Sequence, residues 1–256
     1  MRLSTYVSNG EQRLGIWRQN NMIDFHQLLD EDSAVPGSML DLLRLPIAEQ
    51  KDWLAKASCA LQNPPKKACL GLDESQVQFA PPVVYPAKLI CLGGNYQAHI
   101  DEFDRSIKRT SEKQKYPLAF LKSPTNTLIG HCQPILIQKG AMQIDWEAEL
   151  AVVIGKRAKH QAAANALDCV FGYSILNDVS DREFQINHER HTVDFFRAKN
   201  PDTFAPMGPW IVTADEIPDI QDLSISLRVN GVTKQDANTN QMISSVAKII
   251  EFVSSM

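Results

Sequence analysis

The segment that most constrains this chain is Ile-Asp-Trp-Glu-Ala-Glu-Leu-Ala-Val-Val-Ile-Gly, residues 144–155. Read at the two-residue period of a strand, Ile144, Trp146, Ala148, Leu150, Val152 and Ile154 share one face, and all six suit a core. Asp145, Glu147 and Glu149 share the other face, followed there by Ala151 and Val153. A strand apolar on both faces at its far end is buried there, which places the three acids at the mouth of a buried site. Same-face neighbours lie roughly 7 Å apart, where like charges repel once water is thinned out. A divalent cation held by hard oxygen ligands relieves that repulsion. The alternative is an antiparallel strand with a solvated acidic face.

A chain of 256 residues can bury a large core in one domain or two. Its net charge of −4 gives no electrostatic case for a nucleic-acid partner. No apolar run approaches the ~20 residues of a membrane span, so no membrane partner is expected. The start, Met1-Arg2-Leu3-Ser4-Thr5-Tyr6, lacks the apolar stretch of a signal peptide. Cys59, Cys69, Cys91, Cys132 and Cys169 are scattered, with no pair at zinc-ligand spacing. They read as reduced thiols, mostly packing residues, and the expected location is the cytoplasm.

The first thirty residues read as short strands and a hairpin, with Gln19-Asn20-Asn21 as the turn. Met39–Leu45 and 47–61 carry helical spacing on either side of Pro46. Asn63-Pro64-Pro65-Lys66-Lys67 and Ala80-Pro81-Pro82, closing at Pro86, read as a linker. The expected organisation is therefore a small N-terminal domain and linker over residues 1–80, then a larger domain over 87–256.

Beyond residue 87 the signals are mostly strands. Residues 88–94 form a buried strand ending in glycines, after which Asn95 can cap a short helix carrying Tyr96, His99 and Glu102. His99 and Glu102, three apart, fall on one helical face: either a surface pair or a carboxylate orienting a general base. Residues 104–116 read as a polar surface loop, and 117–124 as a strand that ends on Lys122, whose ammonium is either exposed or turned inward. A short alanine-rich helix over 161–167 precedes a buried strand, 170–176, which delivers Asn177-Asp178. Arg182 and Gln185 follow on one helical turn, and Lys199 stands just before Asn200-Pro201. A hairpin with an Asn-Gly turn at 230–231 and a helix face of Ile243, Val246, Ala247, Ile250 and Val253 complete the chain.

Several stretches together resemble the fumarylacetoacetate hydrolase family: Leu92-Gly93-Gly94-Asn95-Tyr96-Gln97-Ala98-His99, Phe120-Leu121-Lys122-Ser123-Pro124, Asp145-Trp146-Glu147-Ala148-Glu149-Leu150, Gly172 through Ser180, and Asp202 through Trp210. The resemblance covers about residues 87–256, and the leading part is similar to the small N-terminal domain of bacterial members. It implies an α+β, β-rich fold, a mixed β-roll with a small α/β N-terminal domain, and a homodimer. It implies metal ligands at Glu147, Glu149 and Asp178, with Asp145 matching an acid that is not a ligand. It places the catalytic residues at His99, Glu102 and Lys199, and substrate-side residues at Tyr96, Lys122, Arg182 and Gln185. Family chains usually continue past the equivalent of Met256 through further strands, so a truncated C-terminus is expected.

Three carboxylates suit Mg²⁺, with Mn²⁺ or Ca²⁺ as alternatives, better than zinc. The expected activity is hydrolytic cleavage of a C–C bond in an acylpyruvate-like or 1,3-diketo acid, a small anionic substrate. In that reading His99, oriented by Glu102, activates water, while Lys199 and Arg182 hold anionic groups. Decarboxylation or tautomerisation of a 2-oxo acid needs the same enolate stabilisation, and a non-catalytic metal-binding module is the reading from a different class.

Overall fold

The structure is a computed structural model and describes residues 1–29, 34–63, 65, 71–107, 116–187 and 192–256. The strands Arg2–Ser8, Glu11–Arg18 and Asn21–Asp24 pair antiparallel in succession. Gln19 and Asn20 between the last two sit at φ 51° and 61°. Two left-handed residues in a row give a hairpin turn whose twist matches its strands. Met39–Arg44 and Ile47–Ala60 are the two expected helices, and Pro46 stands at the entry of the second, where a missing N–H leaves no gap in the helical bonding.

One eight-stranded sheet organises the molecule. It runs Ala148–Ile154, Val170–Asn177, Ile211–Thr213, Arg2–Ser8, Glu11–Arg18, Asn21–Asp24 and Leu72–Asp73, with Gln78–Phe79 also paired to Arg2–Ser8. Residues from either side of the proline-rich stretch thus share a sheet, with Leu3 opposite Ile211. They also share a core, where Leu3, Leu14 and Phe25 cluster with Val153, Phe171 and Ile211. The Thr5 hydroxyl donates to the Pro82 carbonyl at 2.7 Å, tying the connecting stretch to the first strand. Of the expected linker residues, Pro64, Lys66 and Lys67 lie outside the described residues.

The acidic segment is not one strand. It splits into Ile144–Asp145, paired with Ser180–Asp181, and Ala148–Ile154, paired with Val170–Asn177. The reason lies in local hydrogen bonding at Trp146 and Glu147. The ladder stops at Ala148 opposite Asn177, whose side-chain oxygen then accepts the Glu147 N–H at 3.0 Å. The Asp178 N–H donates to the Glu147 carbonyl at 2.8 Å, so each backbone group finds a partner off the ladder. The far end is apolar on both faces as expected. Ala151 and Val153 join the first core, while Leu150 and Val152 pack with Tyr173, Val246 and Ile250. Ile154 departs from its expected core face and is exposed.

Gly172 lets the neighbouring strand approach closely: a Cβ there would meet the Val212 carbonyl oxygen at 2.3 Å. Gly172→Ala is expected to lower stability by about 1–3 kcal/mol, the usual effect of overpacking. Urea denaturation checks it, and an unchanged midpoint would show that the sheet can spread at no penalty.

Asn230 and Gly231, at φ 51° and 79°, make the expected hairpin turn between Ser224–Val229 and Val232–Asn238. The last helix, Val246–Ser254, begins later than its apolar spacing suggests, because the Ser245 side chain caps it by accepting from the Lys248 N–H. Ile243 therefore precedes the helix and is exposed. Cys169 is buried, as a packing cysteine should be, but Cys59 and Cys132 are exposed; Cys69 lies outside the described residues. Among the described residues no helix is long and apolar enough to cross a membrane.

Candidate metal and substrate site

The register of one strand pair gathers the acids. Glu149 lies opposite Leu176, Ala148 opposite Asn177, and Asp178 follows directly. Glu147, in the break before Ala148, is held beside Asp178 by the two backbone bonds described above. Short elements bring the cations to the same place: Lys199 ends the helix Phe195–Lys199, Arg182 opens the turn Arg182–Gln185, and Lys122 ends the strand Leu118–Lys122.

Lys199 occupies the centre. Its Nζ donates to Glu147 Oε2 at 2.6 Å and to Asp178 Oδ2 at 2.8 Å, and the side chain is 3% exposed. Lys122 Nζ donates to Asp178 Oδ1 at 2.6 Å and to the Val179 carbonyl at 3.1 Å. Arg182 spreads over Asp145 Oδ2 at 2.8 Å, Gln185 Oε1 at 2.6 Å and Glu147 Oε1. Glu147 stays ionised below the usual carboxylate range: burial opposes its charge, but Lys199 and Arg182 outweigh that. Glu149 has no such partner. Burial first, then the charges of Glu147 and Asp178, push its carboxyl up to about 8.

These residues fit a divalent ion. A cationic ammonium already bridges two of the three proposed ligands, and the third is an acid kept protonated by its neighbours' charge. Every donor is a carboxylate oxygen, the ligand type that hard cations prefer. A further sign of an incomplete site is the Tyr96 hydroxyl, buried without any hydrogen-bond partner among the described residues. Because lysine and arginine hold Glu147 and Asp178, no three His, Cys, Asp or Glu side chains among the described residues stand in coordinating geometry. Glu147, Glu149 and Asp178 are the residues that would hold the ion.

The other expected site residues are distributed less simply. His99 and Glu102 both lie on the helix Gln97–Ile107, yet no bond joins them among the described residues. His99 Nε2 instead lies 4.0 Å from Glu147 Oε1, with its side chain 42% exposed, and Glu102 faces solvent. Lys122, expected on the substrate side, is sealed beneath Asp178. Arg182 and Gln185 are bonded to each other, and Arg182 has acidic partners before any substrate arrives. Asp145, the acid set apart from the ligands, has its role as the partner of Arg182. Asn95 does not cap the helix; its side chain receives the Ser244 N–H at 2.9 Å and donates to the Ser244 carbonyl at 3.0 Å, pinning the approach to the last helix. Residues 108–115 of the polar loop lie outside the described residues.

Two residues were missed by reading the sequence. Asn177 orients the Glu147 backbone, and its place at the strand end beside Asp178 is a signal that could have marked it. Asn200 accepts the Ser123 N–H at 2.6 Å and so ties the Lys199 helix to the Lys122 strand; only its adjacency to Lys199 hints at that.

Residues 88–256 match the family described as fumarylacetoacetate (FAA) hydrolase C-terminal. The mitochondrial oxaloacetate tautomerase of Rattus norvegicus is 36% identical over 223 residues, covering 87% of this chain and 66% of that protein. Maleylpyruvate hydrolase from Sphingobium sp. SYK-6, solved in complex with manganese(II) ion and pyruvate, has a TM-score of 0.76 at 29% identity, covering 100% of this chain and 83% of that one. The 5-carboxymethyl-2-hydroxymuconate delta-isomerase from Mycobacterium smegmatis gives 0.69 at 27% identity, over 100% and 83% of the two chains. Against the first curated relatives the matched region spans between 55% and 66% of their length. These relatives comprise a tautomerase, a hydrolase and an isomerase, one of them with a divalent metal bound. On the sheet-rich α+β fold they share and on the match over residues 88–256, the chain belongs to the fumarylacetoacetate hydrolase family.

Proposed function

We propose that this chain carries the site of a divalent-metal-dependent enzyme that forms and quenches the enolate of a small 2-oxo acid, with keto–enol tautomerisation of a 2-oxo diacid such as oxaloacetate as its first reaction. The observation that carries this reading is the Lys199 ammonium lodged between Glu147 and Asp178 beside the unpaired Glu149. The ion in view is Mg²⁺, with Mn²⁺ or Ca²⁺ as alternatives; when bound, it supplies positive charge to an enolate oxygen. Tautomerisation moves one proton from the carbon beside the carbonyl to the carbonyl oxygen, so it needs a group to take the first and one to give the second. His99 reaches the cluster from a half-exposed position and is suited to take a proton at its imidazole. Lys199 holds protons at Nζ and is suited to give one to an enolate oxygen or to bind a substrate carboxylate. The 36% identity to an oxaloacetate tautomerase supports this choice among enolate reactions.

Hydrolytic C–C cleavage of an acylpyruvate is the second reading, favoured by the likeness to maleylpyruvate hydrolase with its bound manganese ion and pyruvate. There His99 takes its proton from water instead of from carbon. The missing His99–Glu102 bond weighs against it, because a base acting on water gains from an orienting carboxylate.

The test is the full chain incubated with oxaloacetate and with acylpyruvates, in Mg²⁺, Mn²⁺ or a chelator. Metal-dependent acceleration of keto–enol exchange supports the first reading, and metal-dependent cleavage the second. No metal-dependent turnover on either substrate overturns the enzymatic account and favours a binding module. His99→Ala is expected to lower turnover by about 10²–10⁴-fold, the usual worth of a general base, with Mn²⁺ affinity near that of the parent. Loss of Mn²⁺ affinity alongside turnover would mean that His99 acts through Glu147.

A further inference from the structure

We infer that Lys122 is a positioning residue that fixes which oxygen of Asp178 faces the cation, and is not a substrate contact. The inference rests on the reading of Glu147, Glu149 and Asp178 as ligands. Lys122 and Asp178 have side chains 0% and 4% exposed, so a substrate arriving from solvent does not meet this ammonium. Its two bonds, to Asp178 Oδ1 at 2.6 Å and to the Val179 carbonyl at 3.1 Å, grip the carboxylate and the backbone that follows it. Rotation of the Asp178 carboxylate would break a charge-assisted bond in a site where water cannot replace it. Oδ2 is thereby left toward Lys199, which also touches Glu147, the second proposed ligand.

The grip extends to the backbone. The Ser123 N–H, next to Lys122, donates to Asn200 Oδ1 at 2.6 Å, and Asn200 follows Lys199. Asn126 Nδ2 donates to the Asn200 carbonyl at 3.0 Å, and Asn200 Nδ2 reaches the Leu121 carbonyl at 3.3 Å. The strand end that carries Lys122 and the helix end that carries Lys199 are thus fastened to each other, with Asp178 held between their ammonium groups. A buried ammonium is unfavourable unless paired, and a methionine would fill the same space without that penalty. What the lysine adds is a fixed orientation for Asp178, as outer partners commonly provide for ligating carboxylates.

Mn²⁺ binding to the full chain, followed by the electron paramagnetic resonance of the free ion, tests this with the parent and Lys122→Met. Oxalate binding is then measured on each protein saturated with Mn²⁺. The expected result is Mn²⁺ affinity lower by about 10–100-fold in the variant, with oxalate affinity little changed. Unchanged Mn²⁺ affinity, or weaker oxalate binding at unchanged Mn²⁺ affinity, overturns the inference. Should Lys122→Met fail to fold, Asn200→Ala carries the test, because it keeps both lysines and removes the bonds that fasten them. Mn²⁺ affinity equal to the parent in that variant then overturns the inference. A parent chain that binds no Mn²⁺ sinks the metal reading itself, a result distinct from either variant's.

Discussion

Asp178→Asn should abolish divalent-ion binding and lower the unfolding free energy by about 3–5 kcal/mol, the range for removing one partner of a buried ion pair. Asp178 neutralises both Lys122 and Lys199 through separate oxygens, and its side chain is almost sealed from water. The amide keeps the shape but supplies no charge. Lys199 retains Glu147, whereas Lys122 has no other carboxylate among its printed bonds. Burial already pulls the Lys122 amine below its ordinary value, with Asp178 opposing that pull. Without Asp178 the depression deepens, so between the folded and unfolded values the unfolded chain binds more protons. Stability of the variant should then rise with pH relative to the parent. Urea denaturation at several pH values, with a Mn²⁺ titration beside it, measures both effects. A variant as stable as the parent, with Mn²⁺ still bound, would remove Asp178 from the site altogether.

The parts of this protein that were legible in sequence are those set by local rules. Gln19-Asn20 and Asn230-Gly231 mark their turns because few residues tolerate φ > 0, and Pro46 divides two helices because it lacks an N–H. The alternation at 148–153 shows which end of the acidic strand is buried, since both faces there carry only apolar side chains. What alternation could not show is the break at Trp146–Glu147. That break depends on Asn177, thirty residues away, taking the Glu147 N–H. The acids were identifiable by type and by family resemblance, but their partners were not. Nothing local to Lys122 says that it turns inward to Asp178, because the enclosure comes from the strand 170–177 and the turn after Lys199. The same holds for His99, whose nearest charge is on another element instead of on its own helix.

Glu149 should make the metal-free protein less stable as pH rises, and Glu149→Gln should remove that trend. In the folded chain burial and the charges of Glu147 and Asp178 hold its carboxyl at about 8, well above an ordinary glutamate. Below the unfolded value both states are protonated and its contribution to stability is fully present. Between that value and about 8 the folded state binds more protons than the unfolded, so stability falls as pH rises through this window. The loss is on the order of a few kcal/mol across the window, and it isolates as the difference between parent and glutamine variant in a chelator. Divalent-ion binding inverts the logic, because a ligating carboxylate must be ionised. Uptake of Mn²⁺ by the parent should therefore release a proton, and its apparent affinity should climb with pH up to about 8. Glu149→Gln should bind Mn²⁺ weakly and show no such climb. Thermal unfolding in chelator and calorimetric Mn²⁺ titrations in two buffers of different ionisation enthalpy read these effects separately. Parallel pH profiles for the two proteins in chelator would show that Glu149 is not the strained acid of the cluster. A Mn²⁺ affinity unchanged by the glutamine would leave the ion to other ligands.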